Sequence, residues 1–137
     1  MSGALRRWRE RRGRLPDKLR AELEAEGLEL LEERVEATVI YRGYEVPGQR
    51  PRSGVQKGLV ALAVTERRLV VQGTGSIRLD VPRGAAVTTG DPGEVRIKYD
   101  AATADPPRSG EIELRLQTPR ADAVHATLSE WTTRRSS

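Results

Sequence analysis

From Val35 to Tyr41 apolar side chains fall on alternate positions, Val35, Ala37, Val39 and Tyr41, with Glu36, Thr38 and Ile40 between them. A period of two marks a strand with one buried face, expected from about Glu33 onward. Between Gly58 and Thr65 both alternating sets, Leu59/Ala61/Ala63 and Val60/Leu62/Val64, are apolar, so that strand is expected to be covered on both faces. Thr65-Glu66-Arg67-Arg68 then separates it from Leu69-Val70-Val71-Gln72, and so short a connector makes the pair an antiparallel hairpin. Ile77/Leu79/Val81, the short run Ala85 to Thr89, Val95/Ile97/Tyr99 and Ile112/Leu114/Leu116 continue the pattern. The Pro- and Gly-bearing segments Val46 to Gly54 and Asp105 to Gly110 are loops.

Two segments change period. Leu15, Leu19 and Leu23 recur every four residues behind Pro16-Asp17, and Gly27 is a stop, which predicts a short amphipathic helix near 16–26. Ala121, Val124, Leu128 and Trp131 share one stripe of a terminal helix over 119–133, with Thr118 as N-cap and Pro119 in its first turn. The chain therefore reads as mainly β: about seven antiparallel strands forming a small barrel, capped by a C-terminal helix, with a short extra N-terminal helix. Its parts are a basic arm (1–14), the N-terminal helix and connector (15–32), the β domain (33–133) and a tail (134–137).

The stretch GLVALAVTERRLVV resembles the signature hairpin of bacterial pleckstrin-homology-like domains, in which a strand ending in Thr-(Asp/Glu/Asn)-x-Arg-Leu turns directly into the next. Thr65, Glu66, Arg67, Arg68 and Leu69 occupy those positions, and SIRLDVPRGAAVTT is similar to the strand and half-turn that follow. The likeness spans about 33–133 and implies a PH-like barrel; it implies no particular ligand. LPDKLRAELEAEGLELLEE followed by TVIYRGYEVPGQR resembles the opening of a group of bacterial proteins that carry this domain behind an added helix.

Composition narrows the chemistry. With 137 residues the chain fits one domain, and without cysteine it has no disulfide, zinc-thiolate or thiol nucleophile. One histidine, His125, near the apolar stripe of the terminal helix, is expected to pack and not to act as a base, and no phosphate-binding glycine motif occurs. The expectation is a non-catalytic protein with no cofactor, no metal and no small-molecule substrate. Lacking an apolar leader or span, it is expected in the cytoplasm, with peripheral membrane contact as a further possibility.

The net charge of +4 is unevenly placed: residues 1–20 hold eight Arg/Lys against two acids, so the remainder is slightly acidic. Arg6, Arg7, Arg9, Arg11, Arg12 and Arg14 with Trp8 suit an anionic membrane surface or nucleic acid, or else form a solubilising arm. Arg50, Arg52 and Lys57 in the first long loop, with Arg42 beside it, are candidate anion contacts. Within the Thr65–Arg68 turn, parity sends the two arginines to opposite faces, one a structural tie and the other solvated. Leu15, Leu19 and Leu23 form an extra apolar stripe with two destinations, the outside of the barrel or another subunit. The leading expectation is an interaction or scaffold module that binds a protein partner or itself, and an adaptor working through the arginine arm is the alternative.

Overall fold

The computed structural model describes residues 13–73, 77–90, 92–104 and 106–134, with the side chain of Arg52 outside the description. Helix α1 (Asp17–Glu26) precedes β1 (Leu28–Glu45), β2 (Arg52–Thr65), β3 (Leu69–Gly73), β4 (Arg78–Val81), β5 (Ala86–Thr89) and β6 (Glu94–Asp100). A single turn, α2 (Ala101–Ala104), leads to β7 (Ser109–Gln117) and the closing helix α3 (Ala121–Thr133). The seven strands form one antiparallel sheet in the order β4-β3-β2-β1-β7-β6-β5, curled into a half-barrel. Strand β1 joins the two halves, pairing with β2 on one side and β7 on the other.

β1 starts at Leu28 and so takes in residues read from the sequence as a connector. A register shift between Glu32 and Val35 hides the period there: Arg34 adopts a positive φ of 60°, and its N–H donates to the Gly13 carbonyl at 2.6 Å. Insertion of extra residues breaks alternation without ending the strand. A second shift lies between Tyr41 and Tyr44, where Gly43 has φ 61°. It returns Tyr44 to the inner face, where it is buried.

The main core fills the concave side of the sheet, with Val35, Val39, Val60, Leu62, Val64, Ile97, Leu114 and Leu116 packed under Leu128 and Trp131 of α3. Leu15, Leu19 and Leu23 lie in a second cluster with Ala61, Ala63 and Val70. The helical stripe is therefore occupied by the outer wall of this chain's own barrel, and the three leucines are 5%, 9% and 0% exposed, so they offer no free surface to a partner. This also explains why β2 is apolar on both faces: one set lines the core and the other carries α1. Each leucine buried here contributes about 1.5–3 kcal/mol. Gly27 ends α1 in the left-handed region (φ 91°) and donates to the Glu24 carbonyl at 3.1 Å.

Helix α3 begins at Ala121, two residues later than its expected start. Thr118 is not its N-cap: the hydroxyl accepts from Arg120 N–H at 3.1 Å, and the Thr118 N–H donates to the Gly93 carbonyl at 2.8 Å. Those bonds anchor the approach to α3 on the start of β6. The helix packs on β5 and β6 and reaches the β2–β3 turn through Trp131.

Candidate functional site

The β2–β3 turn is a structural joint. The fully buried Thr65 accepts from the N–H groups of Arg67 and Arg68 at 3.2 Å each, closing the turn, and donates its own hydroxyl proton to Glu26 at 3.1 Å. Arg68 reaches the same carboxylate with two N–H groups, at 3.1 and 2.6 Å, while Arg67 is exposed. From the other side Trp131 Nε1 donates to the Thr65 carbonyl at 2.9 Å. Arg83 stacks on the Trp131 ring at 4.2 Å and donates to the carbonyls of Trp131 and Glu66. Thr65 is thus held by α1 through its side chain and by α3 through its carbonyl.

The Arg68 hydrogen bonds hold the Glu26 carboxyl below its ordinary value of 4.5. A carboxylate depressed in the folded state stabilises the fold above its unfolded pKa, and that contribution is lost as pH falls through the folded value. Arg68→Met is expected to cost about 1–2 kcal/mol at pH 7. The gap from wild type should close on acidification below pH 4.5 in paired thermal melts. A gap independent of pH would show that Arg68 acts through packing alone.

The candidate cations among the described side chains do not converge. Arg42 donates to Glu111 and Glu113 at 3.1 Å each, so its charge is spent across β7 and its pKa is raised by those bonds. Glu113 is 5% exposed, and Arg115 (2.6 Å) and Lys98 (3.8 Å) also neutralise it. Burial pushes the Glu113 carboxyl up, but the bonds from Arg115 and Arg42 outweigh it and leave it lowered. Lys57 is exposed on β2 opposite Thr38, Arg50 is exposed in the β1–β2 loop, and Arg14 is exposed ahead of α1. Arg6, Arg7, Trp8, Arg9, Arg11 and Arg12 lie outside the described residues, as does the side chain of Arg52.

What the fold does bring together is aromatic. The chain has three tyrosines, and all three line a cavity of about 330 Å³ at the end of the half-barrel away from the Thr65 turn. Register explains the convergence: Tyr41 pairs with Ile112 across β1–β7, and Ile112 pairs with Tyr99 across β7–β6, which sets the three in one row. The bulge at Gly43 adds Tyr44, whose ring meets that of Tyr41 edge to face at 5.4 Å. Leu79, Ile112, Ala101 and Ala104 supply apolar walls, and Arg78, Asp80 and Arg108 polar ones.

Arg108 donates to the Tyr44 hydroxyl at 2.9 Å, and Arg78 to Gln72 at 3.1 Å and to Asp80 at 3.5 Å. A smaller depression of about 180 Å³ adjoins, sharing Tyr44 and Arg108 and adding Arg50, the one expected anion contact among the described side chains that borders it. Tyr99 is 7% exposed, and burial raises its pKa, so the phenol is neutral. Sequence reasoning placed Tyr41 and Tyr99 on inward faces but had no signal for their meeting, which depends on long-range register.

Among the described residues no group of three His, Cys, Asp or Glu is placed to hold a metal, and no helix is long and apolar enough to cross a membrane. No family model matches the chain, and no curated protein is significantly similar to it.

Proposed function

We propose that this chain is a non-catalytic interaction module of the pleckstrin-homology-like kind, which meets a protein partner at the open mouth between β1, β4, β6 and β7. One observation carries the reading: every tyrosine of the chain, two arginines and a set of apolar side chains converge on one cavity. Stacking surfaces with a few polar groups are the chemistry of recognition. Strand order and the closing helix support the PH-like likeness. Burial of Leu15, Leu19 and Leu23 within the chain favours a distinct partner over self-association through α1.

Ala104→Trp, which sets an indole at the cavity wall, tests the reading. The full chain and this variant serve as baits in a lysate of the source cells, and captured proteins are quantified. A partner whose recovery drops about ten-fold with the variant, a loss of roughly 1.4 kcal/mol, is the expected result, at equal melting temperature. Capture that ignores the variant but falls with added salt and vanishes on deleting residues 1–14 would transfer the function to the arginine arm.

A further inference from the structure

We infer that the arginine-rich start of the chain and the outer wall of β2 together form a binding track for single-stranded nucleic acid, a second site apart from the mouth. From Arg6 to Arg14 six of nine residues are arginine. The structure fixes where this segment meets the sheet. Gly13 is buried with φ 73°, and its carbonyl accepts the Arg34 N–H at 2.6 Å. A Cβ added to Gly13 would stand 2.8 Å from Arg34 Cα and 2.9 Å from Leu59 Cβ. Leu15 is tied as well, its N–H donating to the Glu33 carboxylate at 2.9 Å. The segment therefore joins the wall at a fixed point beside Leu59.

Positive charge continues from that point. Arg14, Arg34 and Lys57 are exposed and form no ion pair among the described residues. Lys57 shares the outer face with Leu59, two positions and about 7 Å along β2. Glu36, exposed opposite Leu59, stands against these three. Arg42, Arg68 and Arg115 are by contrast held by carboxylates. The three free cations close no pocket; they extend the charge of the arginines across the wall, which suits a linear polyanion and not a single phosphate. Residue type then selects the polymer. A guanidinium matches phosphate oxygens and stacks on bases, and Trp8, between Arg7 and Arg9, adds a ring for an unpaired base. A duplex hides the base faces that such a ring covers. An anionic bilayer draws the same charge, but Trp8 is the single apolar side chain between Arg6 and Arg14, which leaves that stretch no apolar face to lay among lipid tails.

Fluorescence anisotropy with the full chain tests this on a labelled oligothymidylate of about 15 nucleotides, an abasic chain of equal length and charge, and a duplex of equal length. Vesicles of phosphatidylcholine and phosphatidylserine serve as competitors. The oligothymidylate is expected to bind about ten-fold more tightly than the abasic chain or the duplex, and the vesicles to leave it bound. Trp8→Ala should remove the preference over the abasic chain and leave abasic affinity unchanged. Arg14→Gln combined with Lys57→Gln, at unchanged melting temperature, should lower the slope of log affinity against log salt by about 1.4, because each phosphate contact on a single strand contributes about 0.7. An abasic chain or duplex matching the oligothymidylate overturns the inference, as does its displacement by vesicles, which would assign the charge to a membrane surface. An unchanged salt slope in the double variant overturns the part given to the wall, and no binding of the oligothymidylate overturns the whole.

Discussion

Replacing Trp131 with alanine is expected to lower the free energy of unfolding by about 3–5 kcal/mol, a large part of the roughly 5–15 kcal/mol that holds a domain together. Trp131 is the largest of the fully buried side chains and lies 2% exposed in the core beneath the half-barrel. Its removal leaves a cavity, takes the donor from the Thr65 carbonyl and strips Arg83 of the ring it covers. The second loss matters because Thr65 also anchors α1 through Glu26, so both helices lose registration on one turn. Trp131→Phe separates the contributions: most of the apolar volume returns but the indole donor does not, and a residual cost of about 1–2 kcal/mol is expected. Urea unfolding followed by circular dichroism measures both. An alanine cost below about 1 kcal/mol would mean that α3 is held elsewhere.

Much of the fold is legible in local pattern because each strand has one face in the core. The alternation at Val35–Tyr41, Val95–Tyr99 and Ile112–Leu116 reads directly as inward and outward positions, and the doubled pattern at Gly58–Thr65 announces a second covering layer. The leucine stripe of α1 is that layer. What escapes local reading is what depends on interruptions and on distant register. Leu28–Glu32 lose their strand signature because the bulge around Arg34 shifts the phase.

Glu113 alternates as a solvent-facing residue, yet it is buried beneath Arg42 from β1, Lys98 from β6 and Arg115 from its own strand. Removing a carboxylate from water in this way requires those cations, and nothing in the spacing of residue 42 from residue 113 announces them. The mouth is hidden for the same reason. Tyr41 and Tyr99 look like ordinary core positions until β7 sets them on either side of Ile112. Charge, the most visible feature of the sequence, draws attention to the arginine-rich start and the β1–β2 loop, whereas the described loop cations are mostly solvated or paired within the wall.

The cost of widening the mouth is set at Gly110. This residue has φ 105°, and a Cβ added there stands 2.5 Å from the Gly43 carbonyl oxygen, 2.7 Å from its carbon and 2.7 Å from Tyr44 Cα. Every one of those atoms is backbone of β1, so relief requires the strands to part where Arg42 pairs with Glu111 and Glu45 with Ser109. Gly110→Ala is therefore expected to cost about 3–5 kcal/mol, joining backbone strain to a steric clash that no rotamer relieves. Gly27→Ala provides the comparison: φ is 91° there too, yet nothing lies within 4 Å of the added atom, so strain acts alone at about 1–2 kcal/mol. The Gly110 variant carries a further consequence that the Gly27 variant does not. Tyr44 sits beside the contact and accepts from Arg108 at 2.9 Å, so parting β1 from β7 displaces the ring and the guanidinium that together border both depressions. Urea unfolding of the two variants measures the first effect, and the chemical shifts of the Tyr44 ring protons measure the second. Equal stability losses would show that conformational strain alone governs Gly110, and Tyr44 ring shifts unchanged in its alanine variant would show that the β1–β7 contact does not shape the mouth.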